Sequence, residues 1–150
     1  MEEAVQILAY DTEKKSFCQE AVATEKYDAK TDLFKMSELR KKLNCRIADY
    51  REFKIGDNTY EVWFDEEFLY NKDWSDELHP TIALGKEEGW LNPPILIYGN
   101  VIIGKYDKHE SQQDLDDEDQ HIIFKWLEGK QKNLLKEFDK TLGEIRKELA

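Results

Sequence analysis

The sequence predicts an α+β fold: a small, largely antiparallel sheet packed by a short helix and a long C-terminal helix. Three observations carry this. Runs rich in β-branched and aromatic residues, such as VQILAY, TYEVWFD and VIIGKY, are short and bounded by Gly, Asp and Asn. Phe34, Met36, Leu39 and Leu43 form a partial apolar stripe at helical spacing. Beyond Asp114, Ile122, Ile123, Trp126, Leu127, Leu134, Leu135, Phe138, Leu142, Ile145 and Leu149 recur in steps of three and four with one charged face. At 150 residues and 40% apolar, the chain is sized for one domain, residues 1–150, with a core of its own.

Taken in order, Val5 to Tyr10 reads as a strand, Asp11 to Lys15 as a polar turn, and Ser16 to Thr24 as a returning strand. Asp32 is the expected N-cap of a helix running to Leu43, with Asn44 ending it. Ile47 to Ile55 and Thr59 to Asp65 form a β-hairpin around Gly56-Asp57-Asn58, residues that tolerate positive φ. Residues 66–93 read as irregular, with a break before Pro80. Ile95 to Tyr98 and Val101 to Tyr106 form a tight hairpin or one bulged strand about Gly99-Asn100. Asp107 to Gln113 is a loop, and a helix covers about 114–149, with a break or kink near Gly129. Val5, Ile7, Leu39, Val62, Phe64, Ile95, Ile97 and Ile102 are expected in one core.

The net charge of −11 is unevenly placed. Residues 1–60 hold 12 acids and 11 bases, residues 61–120 hold 16 and 4, and residues 121–150 hold 5 and 7. The middle block thus carries a net −12, a field that repels phosphate and attracts basic surfaces. This argues against nucleic acid as a direct ligand of that face. The longest apolar stretch is far too short to span a membrane, and the acidic N-terminus is unlike a signal peptide. Two lone cysteines, Cys18 and Cys45, suit a reducing compartment, so a soluble, cytoplasmic protein is expected.

The features SELRKKLN, YEVWFDEEFLYN, PTIAL and ILIYGNVIIGKYD follow one another between about residues 39 and 123. In that order they resemble an uncharacterised domain family found mainly in bacteriophage and plasmid genomes. The resemblance covers somewhat over half of the chain and implies a mobile-element origin. It implies no activity and transfers no site residue.

No motif points to catalysis. His79, His109 and His121 are scattered without a nucleophile at recognisable spacing, and Gly99 and Gly104 form no phosphate loop. The acidic run Asp114 to Asp119 lacks the alternating ligands and central glycine of a calcium loop, and reads as a helix N-terminus. No metal, cofactor or enzyme activity is expected. The expected partner-binding residues are Asp65, Glu66, Glu67, Asp73, Trp74, Asp76 and Glu77, joined by Asp116, Asp117, Glu118 and Asp119. Their carboxylates imitate the phosphates of a nucleic acid, and the interleaved aromatic side chains supply anchors. The function read from this is non-catalytic: an acidic binding protein of a phage or mobile element that inhibits a host nucleic-acid-binding defence protein by occupying its basic surface. Sequestration of a signalling nucleotide in a cationic pocket is one alternative. Assembly or homodimerisation through the C-terminal helix is another.

Overall fold

A computed structural model describes residues 3–67, 80–85, 88–89 and 95–136. Its chief element is a curled antiparallel sheet, a half-barrel, with strand order β3-β2-β1-β8-β5-β4. The strands are β1 (Ala4–Asp11), β2 (Ser16–Asp28), β3 (Thr31–Phe34), β4 (Ala48–Ile55), β5 (Asn58–Asp65) and β8 (Val101–Tyr106). A two-residue strand β9 (Gln112–Gln113) joins the end of β8, pairing Lys105 with Gln113 and Tyr106 with Gln112. A separate pair, β6 (Ile82–Leu84) and β7 (Ile95–Ile97), lies off this sheet. The helices are α1 (Met36–Leu43) and α2 (Asp117–Trp126). A π turn, Leu127–Gln131, continues α2, and residues 132–136 are helical again.

The centre is β8. It pairs with β1 through Leu8–Ile103 and Tyr10–Val101, and with β5 through Val62–Ile103 and Phe64–Val101. Val101, Ile102 and Ile103 are all fully buried, so both faces of the sheet are covered here. Ile102 packs with Ile7, Val22 and Phe34 under Leu39 and Leu43 of α1. Val101 and Ile103 pack on the opposite face with Leu8, Phe53, Tyr60 and Val62, under Ile123 and Trp126 of α2. Ile82, Leu84 and Ile97 of the small sheet join that second cluster.

The expected single core is thus two, divided by the sheet. Ile7, Leu39 and Ile102 lie in one cluster and Val62 and Ile97 in the other. Val5, Phe64 and Ile95 are half-buried at the margins. Alternation explains the division, since successive strand residues face opposite sides.

Several local expectations change in the same way. The helix does not begin at Asp32. Thr31–Phe34 is a strand paired to β2, with Asp32 opposite Lys26 and ion-paired to it at 3.2 Å. The helix starts after Lys35, whose N–H is bound to Ala23 O, and Lys35 provides no side-chain cap. Asn44 does end α1, in the left-handed region at φ 54°. The β4–β5 hairpin closes with Ile55 opposite Asn58, leaving Gly56 and Asp57 as the turn. Gly56 has φ +60°, as a two-residue hairpin with glycine at its first turn position requires. Within residues 66–93, expected to be irregular, Ile82–Leu84 forms a strand. Ile95 to Tyr106 is neither a hairpin nor one strand: β7 pairs with β6, while β8 enters the large sheet. Gly99, at φ +78°, lies at this change of direction.

The C-terminal helix begins at Asp117, later than Asp114. The preceding segment is held against β1: Leu115 N–H donates to Gln6 O, and Gln6 N–H donates to Asp114 Oδ1. The helix departs from α geometry over Leu127–Gln131, around Gly129. Gln131, 1% exposed, then reaches the edge of β6. Its amide accepts from Ala83 N–H at 2.9 Å and donates to Ala83 O at 2.6 Å. The part of the expected helix beyond residue 136 lies outside the described residues. Among the described residues no helix is long and apolar enough to cross a membrane.

Ile102→Ala and Ile123→Ala remove side chains from different clusters. Each is expected to cost about 2–5 kcal/mol in urea unfolding, and the double variant to cost their sum. A double variant much less destabilised than that sum would show that the sheet does not separate two independent cores.

Candidate functional site

The expected partner-binding carboxylates fall into two described groups. Asp65 ends β5, where it pairs with Ala48, and Glu66 and Glu67 follow it. Glu66 is exposed, Asp65 Oδ1 accepts from Glu67 N–H, and Glu67 is held by Arg46 through two hydrogen bonds of 3.0 and 2.6 Å. That guanidinium keeps the Glu67 carboxyl below its ordinary value. The second group opens α2. Asp116, Asp117 and Glu118 are exposed. Asp116 caps the helix by accepting from Asp119 N–H, and Asp119 returns the bond to Asp116 N–H.

Asp119 itself turns inward. It is 7% exposed, accepts from Tyr60 Oη at 2.9 Å and from Lys105 Nζ at 2.5 Å, and so pins α2 to β5 and β8. Burial pushes its carboxyl up, but Lys105, Tyr60 and the Asp116 N–H outweigh burial and hold it low. Because Asp119 touches Tyr60, the two groups stand towards opposite ends of β5. The five steps from Tyr60 to Asp65 span about 17 Å of strand. The sheet therefore does not merge them. Asp73, Trp74, Asp76 and Glu77 lie outside the described residues.

Between these groups, on the face shared with α1, is a site that the acidic pattern did not single out. Glu61 of β5 is 1% exposed, yet its Oε1 has no hydrogen-bond partner. Gly104 makes room for it. A Cβ on Gly104 would stand 3.4 Å from Glu61 Oε1 and 3.4 Å from the Phe34 ring. Glu61 lines a cavity of about 140 Å³ with Leu33, Tyr50, Trp63, Tyr106, Glu110 and Gln112. Two more buried polar atoms there lack partners, Trp63 Nε1 and Gln112 Oε1. Such groups are rare in native proteins, and a cavity beside them is where a water or ligand belongs.

The aromatic walls are fixed by packing. Trp63 meets Phe34 edge-on at 5.9 Å and Tyr50 at 4.6 Å between ring centroids. Tyr106 donates its hydroxyl proton to Glu52. Burial, and then Glu52, push the Tyr106 hydroxyl upward. The curl of the sheet closes this end. Thr31 Oγ1 donates to His109 O, and Asp32 N–H donates to Ser111 Oγ, bringing β3 against the 107–113 turn. Tyr50 and Leu33 remain 45% and 36% exposed at the mouth.

Burial lifts the Glu61 carboxyl from 4.5 to about 7, although Trp63 and Gln112 stand close enough to favour the charged form; Glu52 adds to the rise. The described lining holds no Ser, Cys, His, Lys or Arg. Elsewhere, burial pushes the Cys45 thiol up to about 11, which leaves it protonated and unreactive at neutral pH. The cavity thus combines acceptors, aromatic faces and negative charge, which suits binding of a cation bearing N–H groups.

No family model, curated protein or solved structure matches the chain.

Glu61 also sets a pH dependence. The folded state holds its proton more tightly than the unfolded chain, so this contribution to stability is complete below about pH 4.5 and is lost as pH rises through about 7. Full ionisation costs about 3 kcal/mol. In urea titrations from pH 5 to 8.5, the wild type is expected to weaken relative to Glu61→Gln, which removes the titration. Parallel curves for the two proteins would show that Glu61 is solvated in the folded state.

Proposed function

We propose that the chain is a non-catalytic binding protein for a partner with a basic, arginine-bearing surface, and that the Glu61 cavity receives one of that partner's arginine side chains. The observation that carries this reading is the buried Glu61 carboxyl, its Oε1 without a hydrogen-bond partner, among aromatic rings in a cavity whose described lining has no base. A guanidinium fits better than a quaternary ammonium, because it brings N–H donors to Glu61 Oε1 and Gln112 Oε1 while its flat faces lie against rings. Tyr50 and Leu33, which line the cavity, are both exposed at the surface.

The exposed carboxylates of Asp116, Asp117 and Glu118, together with the net −12 of residues 61–120, support long-range attraction to such a surface. A surface that grips nucleic acid is basic and rich in arginine, so this protein would compete with nucleic acid for it. On the mobile-element origin that the family resemblance implies, the partner is a host nucleic-acid-binding defence protein, and occupation of its basic surface inhibits it.

The two contributions separate experimentally. An arginine-rich peptide should bind at least tenfold more tightly than a lysine peptide of equal charge in calorimetric titration. Glu61→Gln should abolish that preference. Neutralising Asp116, Asp117 and Glu118 to Asn, Asn and Gln should slow association at low salt and leave the preference intact. Equal affinity for both peptides, unaffected by Glu61→Gln, would remove the arginine seat.

A further inference from the structure

The surroundings of Glu61 favour a proton on its carboxyl while the cavity is empty. A Cβ on Gly104 would stand 3.4 Å from Glu61 Oε1, 3.4 Å from Phe34 Cζ and 3.5 Å from Ile7 Cγ2. That oxygen therefore shares one small space with an aromatic edge and a methyl group. Among the described residues Oε1 has no hydrogen-bond partner, and neither has Gln112 Oε1 in the same cavity. A carboxylate placed here loses the hydration that stabilises its charge, and Oε1 gains no donor in exchange. The neutral acid has no charge to solvate, and its O–H is a donor beside a second acceptor that lacks one.

The charged and titratable groups on the neighbouring elements add to this. On β4, Glu52 is directly opposite Glu61 in the strand register, and Tyr50 lines the cavity. On β8, Gly104 is opposite Glu61, and Tyr106 beyond it lines the cavity and donates its hydroxyl proton to Glu52. Lys105, between those two, turns to the other face and meets Asp119. The turn after β8 adds Glu110 to the lining, with His109 next to it in sequence. On β3, Asp32 is paired with Lys26, and Leu33 lines the mouth. β1 and α1 bring Ile7, Leu39 and Leu43 to this face of the sheet. Burial is the main reason that the Glu61 carboxyl is lifted to about 7, and Glu52 adds to it.

We propose that the seat is proton-gated: empty, it holds Glu61 as the neutral acid, and an arriving guanidinium takes the place of that proton, which leaves to the solvent. The proposal rests on the arginine reading given above. One positive charge enters as another leaves, so the cavity need not hold an unpaired anion, which is the costly state. The O–H bond of Glu61 breaks with its electron pair remaining on the carboxylate, and the proton passes to a buffer base. The guanidinium keeps all of its own protons. Its N–H groups then meet Glu61 Oε1 and Gln112 Oε1. Because the proton competes with the arginine for one site, acidification releases the partner.

Calorimetric titration of the full chain with the arginine-rich peptide and its lysine counterpart, at pH 5.5, 6 and 8.5 and in two buffers of different ionisation enthalpy, tests this. Affinity for the arginine peptide is expected to rise about thirtyfold from pH 5.5 to 8.5. Close to one proton should be released per arginine peptide at pH 6, beyond any released by the lysine peptide. An infrared difference spectrum at pH 6 should show a protonated-carboxyl band disappearing as the arginine peptide binds, a readout that needs no variant. Glu61→Gln, with melting curves to show that it is folded, should bind with the same affinity at every pH. It leaves His109 and Glu110 in place, so pH dependence that survives in it belongs to another group and overturns the proposal. If the arginine peptide is preferred at pH 8.5 but binds as well at pH 5.5 and releases no extra proton, the arginine seat stands and the gating falls. If no preference for arginine exists at pH 8.5, the seat itself falls and the gating with it.

Discussion

The burial of β8 on both faces is the constraint from which the rest of the arrangement follows. A strand with Val101, Ile102 and Ile103 all shielded from water needs a neighbour on each edge and a cover on each face. β1 and β5 supply the edges, and α1 and α2 the covers. One residue further on, the bulk stops at Gly104. That change from full to absent side chain lets β5 place a carboxylate, Glu61, where a hydrophobic residue would otherwise continue the packing. The candidate arginine seat is therefore a consequence of where the two-sided core ends.

The sheet also sorts charge. The Glu61 cavity lies on the α1 face with acids and aromatic rings, and Lys54, Lys125 and Lys130 line a cavity on the α2 face beyond Phe53 and Trp126. β4 serves both, because alternate residues point to opposite sides. Tyr50 looks towards the acidic cavity, while Phe53 and Ile55 build the other side. A linear count of charge reports a net −12 for residues 61–120, and this separation is invisible to it.

Legibility followed the same physics. Short runs rich in β-branched and aromatic residues, bounded by Gly, Asp and Asn, located β1, β4, β5 and β8 closely. The β4–β5 turn was legible from Gly56, and the helix break from Gly129. Thr31 to Phe34 was misread because four residues with one charged and one β-branched member match a helix start as well as a strand. Only pairing with β2 and the pull of Phe34 onto Trp63 decide it. The placing of β7 and β8 in different sheets depends on contacts far along the chain. Glu61 was hidden for a related reason: TYEVWFD shows a glutamate at one position, but its burial arises from Gly104, 43 residues away. The lysines of the other cavity come from two segments, 54 and 121–130, neither notable alone.

The two hydrogen bonds from Gln131 to Ala83 have a further meaning for the molecule's behaviour in a crowded solution. Among the described residues the small sheet has two strands, and an apolar strand edge such as that of Ile82–Leu84 is a template for pairing between chains. The Gln131 amide offers an acceptor and a donor to the same residue, as a neighbouring strand would. It thereby occupies hydrogen-bonding positions that another molecule could use to start aggregation. The last described helix thus covers part of a strand edge by imitating a β-strand with a single side chain.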